Sequence, residues 1–249
     1  MPKATGGTWQ CTFDDQFDGS TLDRSRWVPQ ETATSGFHSG PECLVDDRDN
    51  VSVGNGVLTL TARKEASPFV CRSRKKSFTT QYTGGQVSTY GRFSQARGRF
   101  EVRARFRGMT VAGVQASLWM WPADPARWPL KEEIDIAEVY SKYIDRAIPF
   151  VHYHDRTNVT NHYCMISNLA RFHIYALEWT PLTLKFIYDG RSCLVHKIST
   201  SERQRLGQSF AGPYMLALSQ VLGRKTNAFS PASTPLPAST DVDYVRVWK

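Results

Sequence analysis

The segment Glu133-Ile-Asp-Ile-Ala-Glu138 constrains the fold most strongly, because its acidic and apolar side chains nearly alternate. In an α-helix, Glu133 and Glu138 would point about 140° apart, since successive residues are rotated by about 100°. In a β-strand, Glu133 and Asp135 share one face and the two isoleucines share the other. Glu138 has the wrong parity for the acidic face, but a one-residue β-bulge near Ala137 would turn it onto that face. We therefore predict a bulged strand with three carboxyl groups on one side.

The pattern alone allows two interpretations of this strand. Acidic residues that alternate with isoleucine are typical of a half-exposed strand with a solvated face. On a curved sheet, however, side chains on the concave face converge, and the two glutamates could bring their carboxyl groups to about 5 Å. That separation is typical of glycoside hydrolases that retain the anomeric configuration.

The rest of the chain contains many short alternating runs and almost no helical periodicity. Residues 50–63 form a predicted hairpin, in which Gly54-Asn55-Gly56 separates two alternating runs. Residues 98–106 alternate charged with apolar side chains, as expected for a half-buried antiparallel sheet. We predict an all-β sandwich of two packed antiparallel sheets, with one short peripheral helix at 199–209. The 249 residues contain no repeat and no linker, which predicts a single domain over 1–249.

The charge and hydropathy of the chain argue against two classes of partner. The 31 Lys and Arg exceed the 23 Asp and Glu, but the basic residues are scattered apart from the run at 72–76. That run lacks the interleaved aromatic residues of a nucleic-acid module, so we predict no nucleic-acid binding. No apolar run approaches the roughly 18 residues of a membrane span, so no membrane partner is predicted either.

The chain has five cysteines, and their spacing argues against zinc or thioredoxin-like chemistry because no Cys-x-x-Cys pair occurs. The odd count leaves at least one thiol unpaired within a monomer. One or two disulfides would fit an exported protein, and Cys43 with Cys71 is the favoured pair. The first residues contain no apolar signal core.

Tryptophan-rich segments precede the acidic strand. Leu118-Trp-Met-Trp-Pro122 is followed by Trp128-Pro129 and then by the acidic segment. This order strongly resembles glycoside hydrolase family 16, particularly its laminarinase-like members. Three further segments match that family: Gly98-Arg-Phe-Glu101, Phe172-His-Ile-Tyr175 and Val242-Asp-Tyr-Val-Arg-Val-Trp248. The resemblance extends from about Trp9 to Trp248.

The resemblance implies a jelly roll with a long cleft on its concave face and an enzyme that hydrolyses β-1,3-glucan internally with retention. Mixed-linkage β-1,3-1,4-glucan is expected to be a slower substrate. Glu133 would be the nucleophile and Glu138 the acid/base, and Asp135 would bond the nucleophile and keep the pKa of the acid raised. No cofactor is expected for this chemistry. The resemblance also implies a secreted or cell-surface protein, which we expect to be a monomer with a polysaccharide as its partner.

Aromatic residues are the first candidates for sugar binding, because indole faces pack against apolar C–H groups of sugars. Trp119 and Trp128 are assigned to the cleft, whereas Trp121 is assigned to packing. The family often has tryptophan at position 115, where this chain has Gln115. One aromatic platform of the cleft is therefore expected to be absent.

Three polar residues are further candidates for substrate contacts. His152 matches a histidine that the family places opposite the acid/base carboxyl. Asn50 matches a sugar-binding asparagine, but a strand-entry asparagine that bonds its own backbone explains it equally well. Arg99 has a more ordinary role available in charge pairing along its sheet. His152 and His154 share a strand face, but no third ligand is evident, so no catalytic metal site is predicted.

Other departures from the family pattern affect calcium and the choice of substrate. Many members hold calcium near a Glu of the first strand, with a second acidic ligand that Asp243 matches. The Glu is replaced by Gln16, and an amide is a poorer ligand for calcium, which weakens the expectation of a structural ion. Two rival functions are a galactan hydrolase of the agarase or carrageenase type and a non-catalytic β-glucan-binding protein. Glu178 lies in a predicted strand without a paired carboxylate and is assigned a structural role.

Overall fold

The computed structural model describes residues 3, 6–74, 76–130, 132–153, 157–198 and 209–249. The predicted helix at 199–209, apart from its last residue, and His154 lie outside the described residues. Helical structure within them is limited to α1 (Thr32–Ser35) and two 3-10 turns, Pro125–Leu130 and Lys225–Asn227. The strands of the described residues are β1 (Cys11–Asp15), β2 (Val28–Pro29), β3 (Cys43–Leu44), β4 (Val51–Gly54), β5 (Val57–Cys71), β6 (Phe78–Ser88), β7 (Gly98–Arg107), β8 (Val114–Pro122), β9 (Glu133–Tyr140), β10 (Ile148–His152), β11 (Asn158–Thr160), β12 (His173–Trp179), β13 (Thr183–Tyr188), β14 (Arg191–Lys197), β15 (Tyr214–Leu222) and β16 (Ala238–Trp248).

Hydrogen bonds connect these strands in one path that folds into two sheets. The front sheet has the order β11-β10-β9-β8-β15-β6, and the back sheet has the order β5-β16-β7-β12-β13-β14. The long strand β5 joins them, because residues 58–62 pair with β16 and residues 63–71 pair with β6. All these pairings are antiparallel, and only the short β3 runs parallel to β6. The predicted all-β architecture of two antiparallel sheets is confirmed.

The core lies between the two sheets and is built from one face of each strand. Side chains with no exposed surface include Leu118 and Ile134 of the front sheet and Val102 of the back sheet. Each fully buried aliphatic side chain stabilises the fold by about 1.5–3 kcal/mol. Specific contacts also cross the core, such as the edge-to-face packing of Trp179 on Tyr214, whose ring centroids are 5.2 Å apart.

Strand β9 carries the predicted bulge. Across from β8, Asp135 pairs with Trp119 and Ala137 pairs with Leu118, which leaves Ile136 without an opposite residue. The extra residue reverses the parity of the rest of the strand, since a bulge adds one residue to one strand only. Apolar side chains on both sides of the bulge therefore enter the core, and the carboxyl groups on both sides of it face outward.

A hydroxyl group of the back sheet fixes this bulge. The Tyr188 hydroxyl on β13 donates a buried hydrogen bond of 2.7 Å to the carbonyl oxygen of Ile136. A bulged residue loses its place in the ladder, so its carbonyl needs another donor when it is buried. Tyr188 supplies that donor from across the core and couples the geometry of β9 to the packing of the two sheets.

Two disulfides link loops and strand ends. Cys43 pairs with Cys71, which confirms the predicted pair, and Cys164 pairs with Cys193. Cys11 is exposed and forms no disulfide, in line with the odd number of cysteines. None of the helices in the described parts of the chain has the length and apolar character to cross a bilayer.

We expect Tyr188→Phe to lower the free energy of unfolding by about 1–3 kcal/mol, because the Ile136 carbonyl would remain buried without a donor. Urea unfolding followed by fluorescence measures this change. Tyr163→Phe is the matched control, since the Tyr163 side chain is 84% exposed and its hydroxyl lies at the surface. Equal stability of the Tyr188 variant and the parent would contradict this account of the bulge.

Candidate active site

A cleft of about 730 Å³ lies on the outer face of the front sheet. Its floor consists of alternate residues of β8 and β15 together with the end of β6. The loop at 35–39 forms one wall, and Trp128 lies in the segment that forms another. Glu133 and Glu138 line this cleft from β9. The cleft is therefore on the face to which the bulge turns the carboxyl groups.

All three predicted carboxylates meet at this cleft. Asp135 lies between Glu133 and Glu138 along β9, and only 1% of its surface is exposed. Glu138 is 9% exposed, and Glu133 is half-buried. The interpretation of this strand as an ordinary solvated face is therefore wrong, because carboxylates on such a face keep most of their contact with water.

Burial and mutual repulsion raise the pKa of the Glu133 and Asp135 carboxyls. Burial is the largest cause for Glu133, and the negative charge of Asp135 adds to it. Burial also dominates for Asp135, followed by the charge of Glu138. His152 partly opposes the shift at Glu133, and its Nε2 lies 3.0 Å from Oδ2 of Asp135. Burial and the like charges therefore both favour a proton bound to the group over three full negative charges.

Glu138 lies in a more polar environment than the other two carboxyls. Its Oε1 accepts hydrogen bonds from Gln115 Nε2 at 2.6 Å and from Ser117 Oγ at 3.1 Å. Its Oε2 accepts a hydrogen bond from the Tyr140 hydroxyl. Burial raises the pKa of Glu138, while these three donors hold it lower than burial alone would. The parity of β8 would have revealed Gln115 and Ser117, since both share a face with Trp119.

Trp119 lies in the cleft as predicted. It is opposite Asp135 in the strand register, and its Nε1 donates to Ser219 Oγ at 2.8 Å. Ser219 in turn donates to Oε1 of Gln86 at 3.0 Å. This hydrogen-bonded chain fixes the plane of the indole ring across three strands of the floor, which preorganises a flat apolar surface for a sugar ring.

Trp128 also borders the cleft as predicted, and its ring is 38% exposed. Its Nε1 donates to the carbonyl of Pro122 at 2.9 Å. The neighbouring Arg127 forms an ion pair through Nη2 with Oε2 of the buried Glu132 at 2.8 Å. Because Glu132 immediately precedes Glu133, the same pair links the tryptophan wall to the start of the acidic strand.

The assignment of Trp121 to packing is wrong. Trp121 lines the cleft beside Trp119, and the two rings are nearly perpendicular with centroids 6.2 Å apart. Alternation placed both residues on one face of β8. That face is the cleft floor, whereas Leu118 and Met120 occupy the core face.

Arg99 does not contact the cleft, so its prediction as a substrate-binding residue is wrong. It lies on β7 in the back sheet, where its guanidinium forms ion pairs with Glu101 at 2.6 Å and Glu178 at 2.8 Å. The alternative of charge pairing along the sheet is confirmed, and Glu178 has the structural role assigned to it. The physical reason is that the adjacent Phe100 faces the core, so Arg99 faces solvent on the side of the molecule away from the cleft.

Asn50 is likewise not a cleft residue, and its prediction is wrong. Only 2% of its surface is exposed. Its amide donates to the carbonyl of Thr61 at 2.8 Å and to the hydroxyl of Thr83 at 3.0 Å. These bonds join β5 and β6 where the chain passes from one sheet to the other. The asparagine therefore stabilises that corner of the fold.

His152 borders the acidic group but not where it was expected. It is opposite Glu133 in the register of β10 and β9, rather than opposite Glu138. Its ring is stacked on Phe150, with centroids 5.5 Å apart and planes at 12°. The residue opposite Glu138 in this register is Ile148, four residues before His152.

The sequence analysis missed Glu42, which anchors the wall at 35–39. Its carboxylate is fully buried and accepts hydrogen bonds from the backbone N–H groups of Ser39 at 2.6 Å, Gly40 at 2.9 Å and Leu222 at 3.2 Å. Burial raises its pKa to about 7. No local pattern distinguishes this residue, because its partners come from a loop and from the distant strand β15.

The residues expected to hold calcium do not fit that ion. Asp243 forms an ion pair of 2.6 Å with Arg103, and Gln16 Oε1 accepts a hydrogen bond of 3.0 Å from Arg246. Guanidinium groups therefore already lie against the oxygens that a cation would need. In the described part of the chain, no three His, Cys, Asp or Glu side chains are grouped as metal ligands.

Comparison with known proteins agrees with this geometry. Residues 42–234 match the family described as Glycosyl hydrolases family 16. The chain belongs to this family. It is therefore a member of a glycoside hydrolase family, and the predicted resemblance is confirmed.

Relatives within the family include two glucanases. The chain is 26% identical to glucan endo-1,3-beta-glucosidase A1 of Niallia circulans over 95% of its own length and 37% of that protein. It is 28% identical to a beta-glucanase of Rhodothermus marinus over 97% of its own length and 85% of that protein. The catalytic domain of an endo-1,3-beta-glucanase (laminarinase) from Thermotoga petrophila superposes with a TM-score of 0.81 and 25% identity, covering 97% and 98% of the two chains. The superposition confirms the predicted jelly-roll fold.

The buried Glu42 predicts a pH-dependent stability. The folded state holds a proton up to about pH 7, whereas an unfolded glutamate releases it near about pH 4.3. The stabilising contribution is therefore present below about pH 4 and is lost as pH rises through about 7. We expect Glu42→Gln, which cannot ionise, to gain up to about 3 kcal/mol relative to the parent between pH 5 and pH 8. Urea unfolding of both proteins at several pH values measures this difference, and a constant difference would contradict the prediction.

Proposed function

We propose that this chain is a retaining endo-hydrolase of laminarin-type β-1,3-glucan that cleaves mixed-linkage β-1,3-1,4-glucan more slowly. One observation carries the proposal: the bulge in β9 places Glu133 and Glu138 on one face of a cleft, with Asp135 buried between them. Glycosidases use two carboxyl groups that flank the scissile bond, and in the retaining class one is the nucleophile and the other the acid/base. The names of the glucanase relatives support the choice of glucan.

In this mechanism Glu133 attacks the anomeric carbon while Glu138 protonates the departing glycosidic oxygen. The C–O bond to the leaving sugar breaks, and an ester bond to Glu133 forms with inversion. Glu138, now ionised, takes a proton from water, and the water oxygen displaces Glu133 with a second inversion. Every proton and electron pair is supplied by the carboxylates, the substrate or water, so we propose that no cofactor participates.

The electrostatics of the group support this change of role. Before attack, burial favours the protonated form of Glu138. Formation of the ester removes the negative charge of Glu133, so the pKa of Glu138 falls and it becomes a base. Asp135 lies between the two glutamates, so a negative charge on Asp135 raises the pKa of Glu133.

The shape of the cleft supports binding of a polymer. Its open floor crosses β9, β8, β15 and β6, which lie about 4.8 Å apart, so four strands span roughly 15 Å or about three sugar residues. Trp119, Trp121 and Trp128 provide stacking surfaces along it. The two disulfides support an exported protein, because disulfides persist in oxidising compartments.

A sulfated galactan is the second candidate substrate, because one feature of the cleft favours an anionic polymer. Arg224 is exposed and lines the cleft. A guanidinium group matches the geometry of sulfate oxygens. The non-catalytic alternative is disfavoured, since both glutamates are present and share the cleft.

Product analysis tests the substrate and the stereochemistry. Purified protein is incubated with laminarin, lichenan, agarose and carrageenan, and the oligosaccharides are separated while proton NMR records the first anomer released. We expect laminarin to yield a mixture of oligosaccharides with β-anomers first. Release from a galactan alone would refute the glucanase assignment, and α-anomers first would refute retention.

Variants of the two glutamates test their roles. We expect Glu133→Ala and Glu138→Ala to lower turnover by roughly a thousandfold or more while retaining the folded state, because each removes a group needed in the transition state. Azide is expected to restore part of the activity, giving an α-glycosyl azide with Glu133→Ala and a β-glycosyl azide with Glu138→Ala. Glu178→Ala removes a carboxylate of the back sheet and serves as the control. Near-parental turnover of either cleft variant would eliminate that residue from its role.

A further inference from the structure

One departure from the family pattern lies directly at the proposed acid/base. Gln115 occupies the position where the family often has tryptophan, and its side chain faces the cleft two residues before Ser117. Gln115 is opposite Tyr140 and Ser117 is opposite Glu138 in the register of β8 and β9. The substitution replaces an aromatic surface by a hydrogen-bond donor within reach of the Glu138 carboxyl.

The two donors of β8 occupy one oxygen of that carboxyl. Oε1 of Glu138 accepts from the Gln115 amide at 2.6 Å and from the Ser117 hydroxyl at 3.1 Å. A carboxyl oxygen has two lone pairs, so Oε1 has no remaining site for a proton. Oε2 accepts only the Tyr140 hydroxyl and keeps a second lone pair. A proton on Glu138 is therefore carried by Oε2.

The two donors of β8 that make Oε1 of Glu138 an acceptor are neutral groups. The titratable neighbours of Glu138 are Glu133, Asp135 and Tyr140 on β9, His152 on β10 and Tyr188 on β13. Strand β8 presents only the amide of Gln115 and the hydroxyl of Ser117 to the carboxyl. An amide N–H cannot accept a proton, so this contact favours an acceptor oxygen in both protonation states of Glu138.

We propose that Gln115, with Ser117, is a positioning residue that holds Oε1 of Glu138 as an acceptor, so that Oε2 delivers the proton to the leaving oxygen. The proposal rests on the function assigned above. It also assigns a second effect to Gln115. The N–H of Gln115 bonds more strongly to the carboxylate form of Glu138 than to the neutral acid. Gln115 therefore lowers the pKa of Glu138 and with it the highest pH at which Glu138 stays protonated.

Removal of the donor has opposite effects on acidity and on alignment. Gln115→Met keeps the length of the side chain but donates no hydrogen bond. The pKa of Glu138 should rise, so the basic limb of kcat/KM against pH should move to higher pH. At the same time kcat on laminarin should fall about tenfold with little change in KM, because the carboxyl can rotate away from the leaving oxygen.

Two measurements on the purified protein test the proposal. The carboxyl carbons of ¹³C-glutamate-labelled parent and Gln115→Met are titrated by NMR without substrate, and Glu138→Gln identifies the Glu138 signal. The kcat/KM values, which report the steps up to formation of the glycosyl-enzyme, are then compared on laminarin and on dinitrophenyl β-laminaribioside, whose leaving group departs without protonation. Gln10→Met is the control, since Gln10 is exposed and lies outside the cleft.

The expected result is an upward shift of the Glu138 titration and a loss confined to laminarin in Gln115→Met alone. The proposal is overturned if the variant titrates like the parent, or if it loses the same factor on both substrates. It is equally overturned if Gln10→Met behaves like Gln115→Met. A parent that cleaves no β-glucan would refute the proposed function instead, while the NMR titration would still report on the hydrogen bonds to Oε1.

Discussion

The hydrogen bond from the Tyr188 hydroxyl to the carbonyl of Ile136 is the interaction on which the site depends. It satisfies the one backbone acceptor that the bulge removes from the ladder, and it does so from the opposite sheet. Without the bulge, Glu138 would point into the core and Ala137 into the cleft. The packing of the two sheets thus determines the direction of a carboxyl group that lies on the far side of one of them.

Burial of the acidic group is the second constraint. Three carboxyls on one strand face repel each other, and removal from water adds to the cost of ionising them. Hydrogen-bond donors offset this cost of ionisation, and the carboxyls do not each have a positively charged partner. Glu138 receives three neutral hydrogen-bond donors, whereas Asp135 has His152 within 3.0 Å. Unequal environments separate the proton affinities of neighbouring carboxyls, and acid/base chemistry at neutral pH requires that separation.

Two other buried carboxylates hold the walls of the cleft in place. The Glu42 carboxylate accepts hydrogen bonds from three backbone N–H groups, two at the end of the wall loop and one at the end of β15. Glu132 pairs with Arg127 and also accepts a hydrogen bond of 3.2 Å from the Tyr214 hydroxyl. Both carboxylates are fully buried beside segments that carry cleft residues. Rigid loops reduce the entropy that is lost when a polymer binds, so these anchors serve binding as well as stability.

The sequence by itself determined the parity of each strand, and with it the shared face of Glu133 and Asp135 and the need for a bulge before Glu138. Those features follow from a period of two residues, which is local. It could not determine which sheet a strand joins, so Arg99 was assigned to the cleft although β7 lies in the back sheet. Nor could it decide which face of β8 meets the core, which misplaced Trp121, or where Asn50 and Glu42 find their partners. Those outcomes depend on hydrogen bonds and packing between residues far apart in the chain, and only the tertiary structure brings these residues together.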